Sequence, residues 1–219
     1  GKTTVMKFNG SAWENVGSAG FSAGLAFSQS LAFDGSTPYV AYRDNANGYG
    51  TTVMKFNGST WENVGSAGFS AGQTDYQSLA FDGSKPYVAY QDDATGDRTT
   101  VMKFNGSDWE NVGSPGFSAG LATFQSLAFE GSTPYVAYSD GGNGLRTTVM
   151  KFNGSTWENV GSAGFSAGQA TFQSLAFDGT TPYVAYGDGG NGGKTTVMKF
   201  NGSAWENVGS AGFSAGVAP

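Results

Sequence analysis

Four aspartates, Asp44, Asp92, Asp140 and Asp188, stand 48 residues apart, each opening a loop of the form DNANG, DDATGD or DGGNG. Oxygen-rich loops of this kind can hold a hard cation such as Ca²⁺. The same residues also make Asx turns, in which the aspartate side chain caps its own backbone. The EF-hand spacing is not met, the turn reading needs no ion, and no metal or cofactor is assigned. Catalysis has little to stand on. There is no histidine and no cysteine, so the many Ser and Thr hydroxyls have no imidazole to activate them. Glutamate recurs beside a tryptophan in each WEN segment. The adjacent Asp92 and Asp93 read as a solvated loop pair rather than as two acids facing each other across a pocket. The expectation is a protein that is not an enzyme.

Charge narrows the partners. Across 219 residues the formal net charge is −6, with no basic cluster. An acidic surface repels phosphate, so nucleic acid is not an expected partner. No apolar run is long enough to span or anchor in a membrane, so none is expected there either.

Position along the chain is set by repetition. The segment TTVMKFNGS begins at Thr3, Thr51, Thr99, Thr147 and Thr195, always 48 residues apart. Such a period dictates the fold before any local propensity does. Each unit contains four short runs, SLAF, PYVAY, TTVMKF and WENVG, rich in β-branched and aromatic residues and bounded by Gly, Asn, Asp or Pro. No helical period of useful length occurs. Asn9-Gly10 and Asp34-Gly35 sit where tight hairpins want positive φ, and Pro38 is expected to open its strand. NGS also matches a glycosylation acceptor, but turn chemistry accounts for all three residues.

Four strands per repeat form the blade of an all-β propeller. In PYVAY both faces are apolar, as a sheet clamped between two neighbours requires. The charged residues of TTVMKF and WENVG belong on the outer strands, where they are solvated and block edge pairing. The expected order is therefore SLAF innermost, then PYVAY, TTVMKF and WENVG. The five tryptophans, one per WENVG, read as blade packing rather than as sugar-stacking platforms.

The meander SLAFDGSTPYVAY followed by TTVMKFNGS and Trp resembles the blades of lectin-type propellers, including the five-bladed tachylectins. It also resembles repeat arrays in secreted bacterial proteins. The NGSxW turn is weakly similar to the Asp-box of sialidase-type propellers, with Asn in place of Asp. The resemblance covers the whole chain as a blade pattern. It implies the propeller fold and names no ligand.

In this phase residues 1–24 are an orphan outer pair of strands. Blades follow at 25–72, 73–120, 121–168 and 169–219. The total is eighteen strands, four blades and a half. A five-position ring with one incomplete blade is the expected closure, a four-blade ring the alternative. Identical segments 3–16 and 195–208 compete for one place, and self-association through unpaired edges is expected.

Differences between repeats gather at 25–28, 73–76, 121–124 and 169–172, and at 43–50, 91–98, 139–146 and 187–194. In a meander these two sets emerge at the same end of each blade, giving a varied face and a uniform one. Function on such scaffolds sits in loops. The candidate ligand-binding residues are Arg43, Asn45, Asn47, Tyr49, Tyr76, Gln91, Asp93, Arg98 and Arg146. Their planar polar groups and rings suit a glycan partner. The expected function is a non-catalytic binding or scaffold propeller. The alternative is a purely structural, engineered or recently amplified repeat chain without a ligand.

Overall fold

The structure, a computed structural model, describes residues 1–218. Pro219, the last residue of the expected fourth blade, lies outside them. A two-stranded hairpin comes first, β1 (Met6–Phe8) with β2 (Trp13–Asn15). Four antiparallel four-stranded sheets follow in series. The first is β3 (Ala26–Asp34), β4 (Thr37–Asp44), β5 (Gly50–Phe56) and β6 (Trp61–Asn63). The second is β7 (Thr74–Asp82), β8 (Lys85–Asp92), β9 (Arg98–Phe104) and β10 (Trp109–Asn111). The third is β11 (Ala122–Glu130), β12 (Thr133–Asp140), β13 (Arg146–Phe152) and β14 (Trp157–Asn159). The last is β15 (Ala170–Asp178), β16 (Thr181–Asp188), β17 (Lys194–Phe200) and β18 (Trp205–Asn207). Neighbours in sequence are neighbours in each sheet, so these are propeller blades in the expected strand order.

Burial follows the two-faced pattern. In β4, Tyr39, Val40, Ala41 and Tyr42 are all buried. Tyr39 and Ala41 face forward, onto Leu79, Val88 and Tyr90 of the second blade. Val40 and Tyr42 face back, onto Val5, Val16 and Phe21 of the N-terminal segment. The hairpin β1–β2 therefore fills the outer half of a blade position of its own instead of joining the last blade.

The core repeats one clasp. The Trp61 indole N–H donates to the Val16 carbonyl at 2.7 Å, and its ring stacks on Phe21 at 4.2 Å, 8° from parallel. Trp109 does the same with Val64 and Phe69, Trp157 with Val112 and Phe117, and Trp205 with Val160 and Phe165. Nearer the centre, the Leu79 amide donates to the Ser30 hydroxyl of the preceding blade, as Leu127 does to Ser78 and Leu175 to Ser126. The second, third and last blades are thus bonded to their predecessors at both outer and inner strands, and the first blade to the N-terminal hairpin at its outer strand alone.

Two local expectations are corrected and one is made specific. The Asn9-Gly10 hairpin is a four-residue loop, from Asn9 to Ala12. The Asn9 side-chain oxygen accepts from the Ser11 and Ala12 amides, and Gly10 alone takes a positive φ, +97°. Pro38 is the second residue of β4, opposite Phe33, because pairing extends one residue further, to Thr37 and Asp34. Asp92 is not solvated: it is 1% exposed, while Asp93 is on the surface.

The clasp gives a position-dependent prediction. Trp109→Ala removes a buried indole and strands the Val64 carbonyl, and should cost about 3–5 kcal/mol. Trp13 is the same residue of the repeat but 66% exposed. Trp13→Ala should cost under about 0.5 kcal/mol at low protein concentration. Urea unfolding of the two variants checks this, and comparable losses would contradict the series order of the blades.

Candidate functional site

The two varied segments of each blade do meet at one end. The Asn45 amide donates to the Leu25 carbonyl, Asp93 to Gln73, Gly141 to Leu121 and Gly189 to Gln169, at 2.7–3.1 Å. The turn between the second and third strands is a single 3-10 turn, closed by a glycine in the left-handed region. Its aspartate explains the recurring DxxNG pattern. The buried Asp44 carboxylate accepts from the Ala46 amide, the Asn47 side chain and the Thr52 hydroxyl. Asp140 and Asp188 hold equivalent sets of three donors. Carboxylates engaged in this way act as turn caps. Among the described residues no cluster of three metal-ligating side chains occurs.

The second blade departs from this set. Thr95 replaces the asparagine and turns its hydroxyl to the Asp92 carbonyl, leaving the carboxylate with the Ala94 amide and Thr100. Burial then pushes the Asp92 carboxyl above the ordinary carboxylate range, against the lowering by those two donors.

At the same end, the inner strands of all four blades surround a hollow of about 460 Å³. It is lined by Ser28, Tyr76, Phe124 and Phe172, and beneath them by Gln29, Gln77, Gln125 and Gln173. The first four are bulge residues, and every one has positive φ, between 50° and 57°. For a bulky side chain this conformation is strained by about 1–3 kcal/mol. The bulge turns the rings together: Tyr76 and Phe124 centroids are 4.8 Å apart, Phe124 and Phe172 4.5 Å. Phe172 nonetheless remains 56% exposed. The glutamines below are pinned by their amide nitrogens, Gln77 to the Thr74 hydroxyl at 2.8 Å and Gln125 to the Ala122 carbonyl at 3.1 Å. Their side-chain oxygens have no partner, and Gln173 has none on either amide atom, although all three residues are only 7% exposed.

Of the nine residues expected to bind ligand, Tyr76 alone lines this hollow. Arg43 reaches across to the next blade, pairing with Asp75 at 3.0 Å and donating to Gln73, with its guanidinium 4.7 Å from the centre of the Tyr49 ring. Its ionic capacity is largely spent on joining blades. Asn47 is spent on Asp44, and Asn45 and Asp93 begin the 3-10 turns. Gln91 pairs within its sheet, between Asp75 and Thr99. Arg98 and Arg146 are exposed at the starts of β9 and β13, outside the hollow. The glutamines, Phe124 and Phe172 escaped sequence reading. The available signal was the Gln before every SLAF, which repeats while its neighbour varies.

At the uniform end a groove recurs between blades. One copy, of about 480 Å³, is lined by Lys103, Tyr135 and Lys151 among others. Its lysines are already paired, Lys103 with Glu110 and Lys151 with Glu158. The hollow, with unpartnered acceptors and strained rings, is the better candidate.

No protein-family model matches the chain, and no curated protein matches it in sequence. Solved structures do match its fold. The Aleuria aurantia lectin, described in complex with Fucα1-6GlcNAc, superposes with a TM-score of 0.63 at 15% identity, over 97% of this chain and 72% of that one. The exo-β-1,3-galactanase of Phanerochaete chrysosporium gives 0.54 at 11%, over 83% and 49%. A Bacteroides ovatus protein described as xyloglucan PUL GH43B gives 0.53 at 14%, over 85% and 41%. The chain thus spans less than half the length of the last two. At such identities the likeness is one of fold, shared by a lectin and by glycoside hydrolases.

The missing donor at Asp92 is testable. A carboxyl held above its ordinary value takes up its proton more readily folded than unfolded, so stability falls as pH rises through the folded-state pKa. Thr95→Asn restores the third donor. It should raise stability at neutral pH by about 1 kcal/mol and flatten that pH dependence. Urea midpoints from neutral to mildly acidic pH decide it; a neutral-pH midpoint equal to that of the parent would refute the account.

Proposed function

We propose that this chain is a non-catalytic carbohydrate-binding propeller whose ligand seats in the central hollow. The observation that carries this reading is the pairing of unpartnered amide oxygens with strained, part-exposed rings in one concavity. A sugar offers hydroxyl donors to the first and C–H faces to the second. A buried acceptor without a partner costs about 1–3 kcal/mol; these amide atoms are sealed beneath the rings, so a ligand hydroxyl recovers that cost only as the glutamine side chains turn toward it. The lining contains amides, a serine hydroxyl and aromatic rings, with no carboxylate. Glycoside cleavage needs an acid and a second carboxylate flanking the bond, and this lining supplies neither. The absence of a charged lining, in a chain of net charge −6, favours neutral over sulfated or sialylated glycans.

Two variants test the site with little risk to the fold. Gln173→Leu breaks no internal hydrogen bond of its side chain, and Phe172→Gly relieves a positive φ. Both should leave thermal stability unchanged or higher, and each should weaken binding about tenfold or more. Lys103→Met, in the groove at the other end, should leave affinity unchanged. A glycan array followed by titration calorimetry provides the readout. Binding insensitive to both hollow variants would move the site elsewhere. Silence across the array from well-folded protein would leave a purely structural repeat chain.

A further inference from the structure

Of the four bulge residues at the mouth of the hollow, three carry rings and one, Ser28, carries a hydroxyl. That hydroxyl is not free. It donates to the Asp75 carboxylate, which comes from the inner strand of the next blade. The same carboxylate oxygen accepts from the Tyr76 amide at 3.1 Å, and the other is ion-paired with Arg43 at 3.0 Å. Arg43 is held in turn by Gln73 and by the face of the Tyr49 ring. The other two junctions between full blades lack this set. In place of Arg43 and Asp75 they have Gln91 and Thr123, then Ser139 and Thr171.

The direction of the Ser28 bond follows from its partner. An ionised carboxylate can only accept, so the Ser28 proton is committed to Asp75 and the lone pairs of its oxygen are what the hollow meets. Beneath it, the Gln29 and Gln77 amide nitrogens are likewise bonded within the protein, to the Ala26 carbonyl and the Thr74 hydroxyl. Among the four rim residues only the Tyr76 hydroxyl can both give and take.

We propose, on the reading that the hollow is a sugar site, that Ser28 sets its specificity and that Arg43 and Asp75 are its positioning residues. The ligand is a neutral sugar with a free hydroxyl that donates to Ser28 while its C–H face lies against the rings of Tyr76, Phe124 and Phe172. Methylating that hydroxyl removes the donor and leaves an acceptor, so lone pairs would face lone pairs across the contact. Arg43 then serves the ligand without touching it, by holding Asp75 where it takes the Ser28 proton.

Methyl glycosides of the common neutral hexoses, each beside its mono-O-methyl ethers, are the probes, and titration calorimetry is the readout. For one ring position the parent should bind the free hydroxyl about tenfold or more tighter than the ether. Ser28→Gly deletes the acceptor and relaxes the positive φ. Asp75→Thr installs the residue found at the same place in the next blade, whose hydroxyl can give or take, so the Ser28 proton is no longer directed. Both should keep the parent circular dichroism and bring the free-to-methylated ratio within about twofold. Arg43→Gln, again the residue of the next blade, should lower the ratio partway, and Arg43→Lys, which keeps the charge, should recover it. A purely structural role for the ion pair would change affinity for both probes alike and leave the ratio untouched. If the parent binds and Phe172→Gly weakens binding while the ratio is the same in every variant, the assignment of Ser28, Asp75 and Arg43 falls and the sugar site stands. A parent that binds no member of the panel overturns both.

Discussion

An indole N–H bonded to a backbone carbonyl of the preceding repeat is the contact on which the rest of this molecule depends. Burying a tryptophan contributes a large apolar area, but its N–H must find an acceptor or the gain is lost. The acceptor here is the carbonyl just past WEN, where the strand has ended and the group is free. Bonding to it sets the distance between outer strands, while the parallel stacking on phenylalanine sets the angle. With outer strands fixed, the second strands interdigitate, Tyr39 and Ala41 against Val88 and Tyr90. The serine hydroxyls then complete the inner edges. Because the clasp lies entirely in the outer half, β1 and β2 can dock on the first full blade without inner strands of their own.

A scaffold so heavily tied can hold strained backbone. Ser28, Tyr76, Phe124 and Phe172 occupy the left-handed region at the same bulge in each blade. None is a glycine, which would relieve the strain, and Phe172 gains little burial in return. Bulges re-aim side chains near functional sites, and these aim three rings at one hollow. The strain is tolerated because the ladder resumes at once on either side, from Ser174 onward in the last blade.

The fold was readable because its determinants are periodic. A 48-residue repeat, two-faced PYVAY and charges confined to outer strands specify blades and their strand order without reference to distant contacts. The site was far less readable. Arg43 looked like a free ligand group because its partner, Asp75, lies 32 residues on in the next blade. The bulge left no mark because positive φ at serine, tyrosine or phenylalanine has no sequence signature. Seeking variation between repeats found Tyr76 but passed over Gln77, Gln125 and Gln173, whose constancy resembled that of the framework. The hairpin at Asn9-Gly10 was legible, but its length was not, because a two-residue loop and an asparagine-capped four-residue loop begin with the same Asn-Gly.

Segments 3–16 and 195–208 are identical, so contact energies alone cannot decide which completes the last blade. Connectivity decides. β17 follows β16 after a turn of five residues, Gly189–Gly193, whereas β1 would have to close a loop spanning nearly the whole chain to pair with the same strand. Loop-closure entropy grows only as the logarithm of length, yet between equal contacts even that difference selects the local pairing. The N-terminal pair is then left to the next best surface, the back face of the first full blade, where Val16 and Phe21 still receive Trp61. The outcome is a chain whose four tryptophan clasps are each made with the repeat immediately before in sequence. Repetition made the pairing ambiguous, and chain entropy resolved it in favour of the strand nearest in sequence.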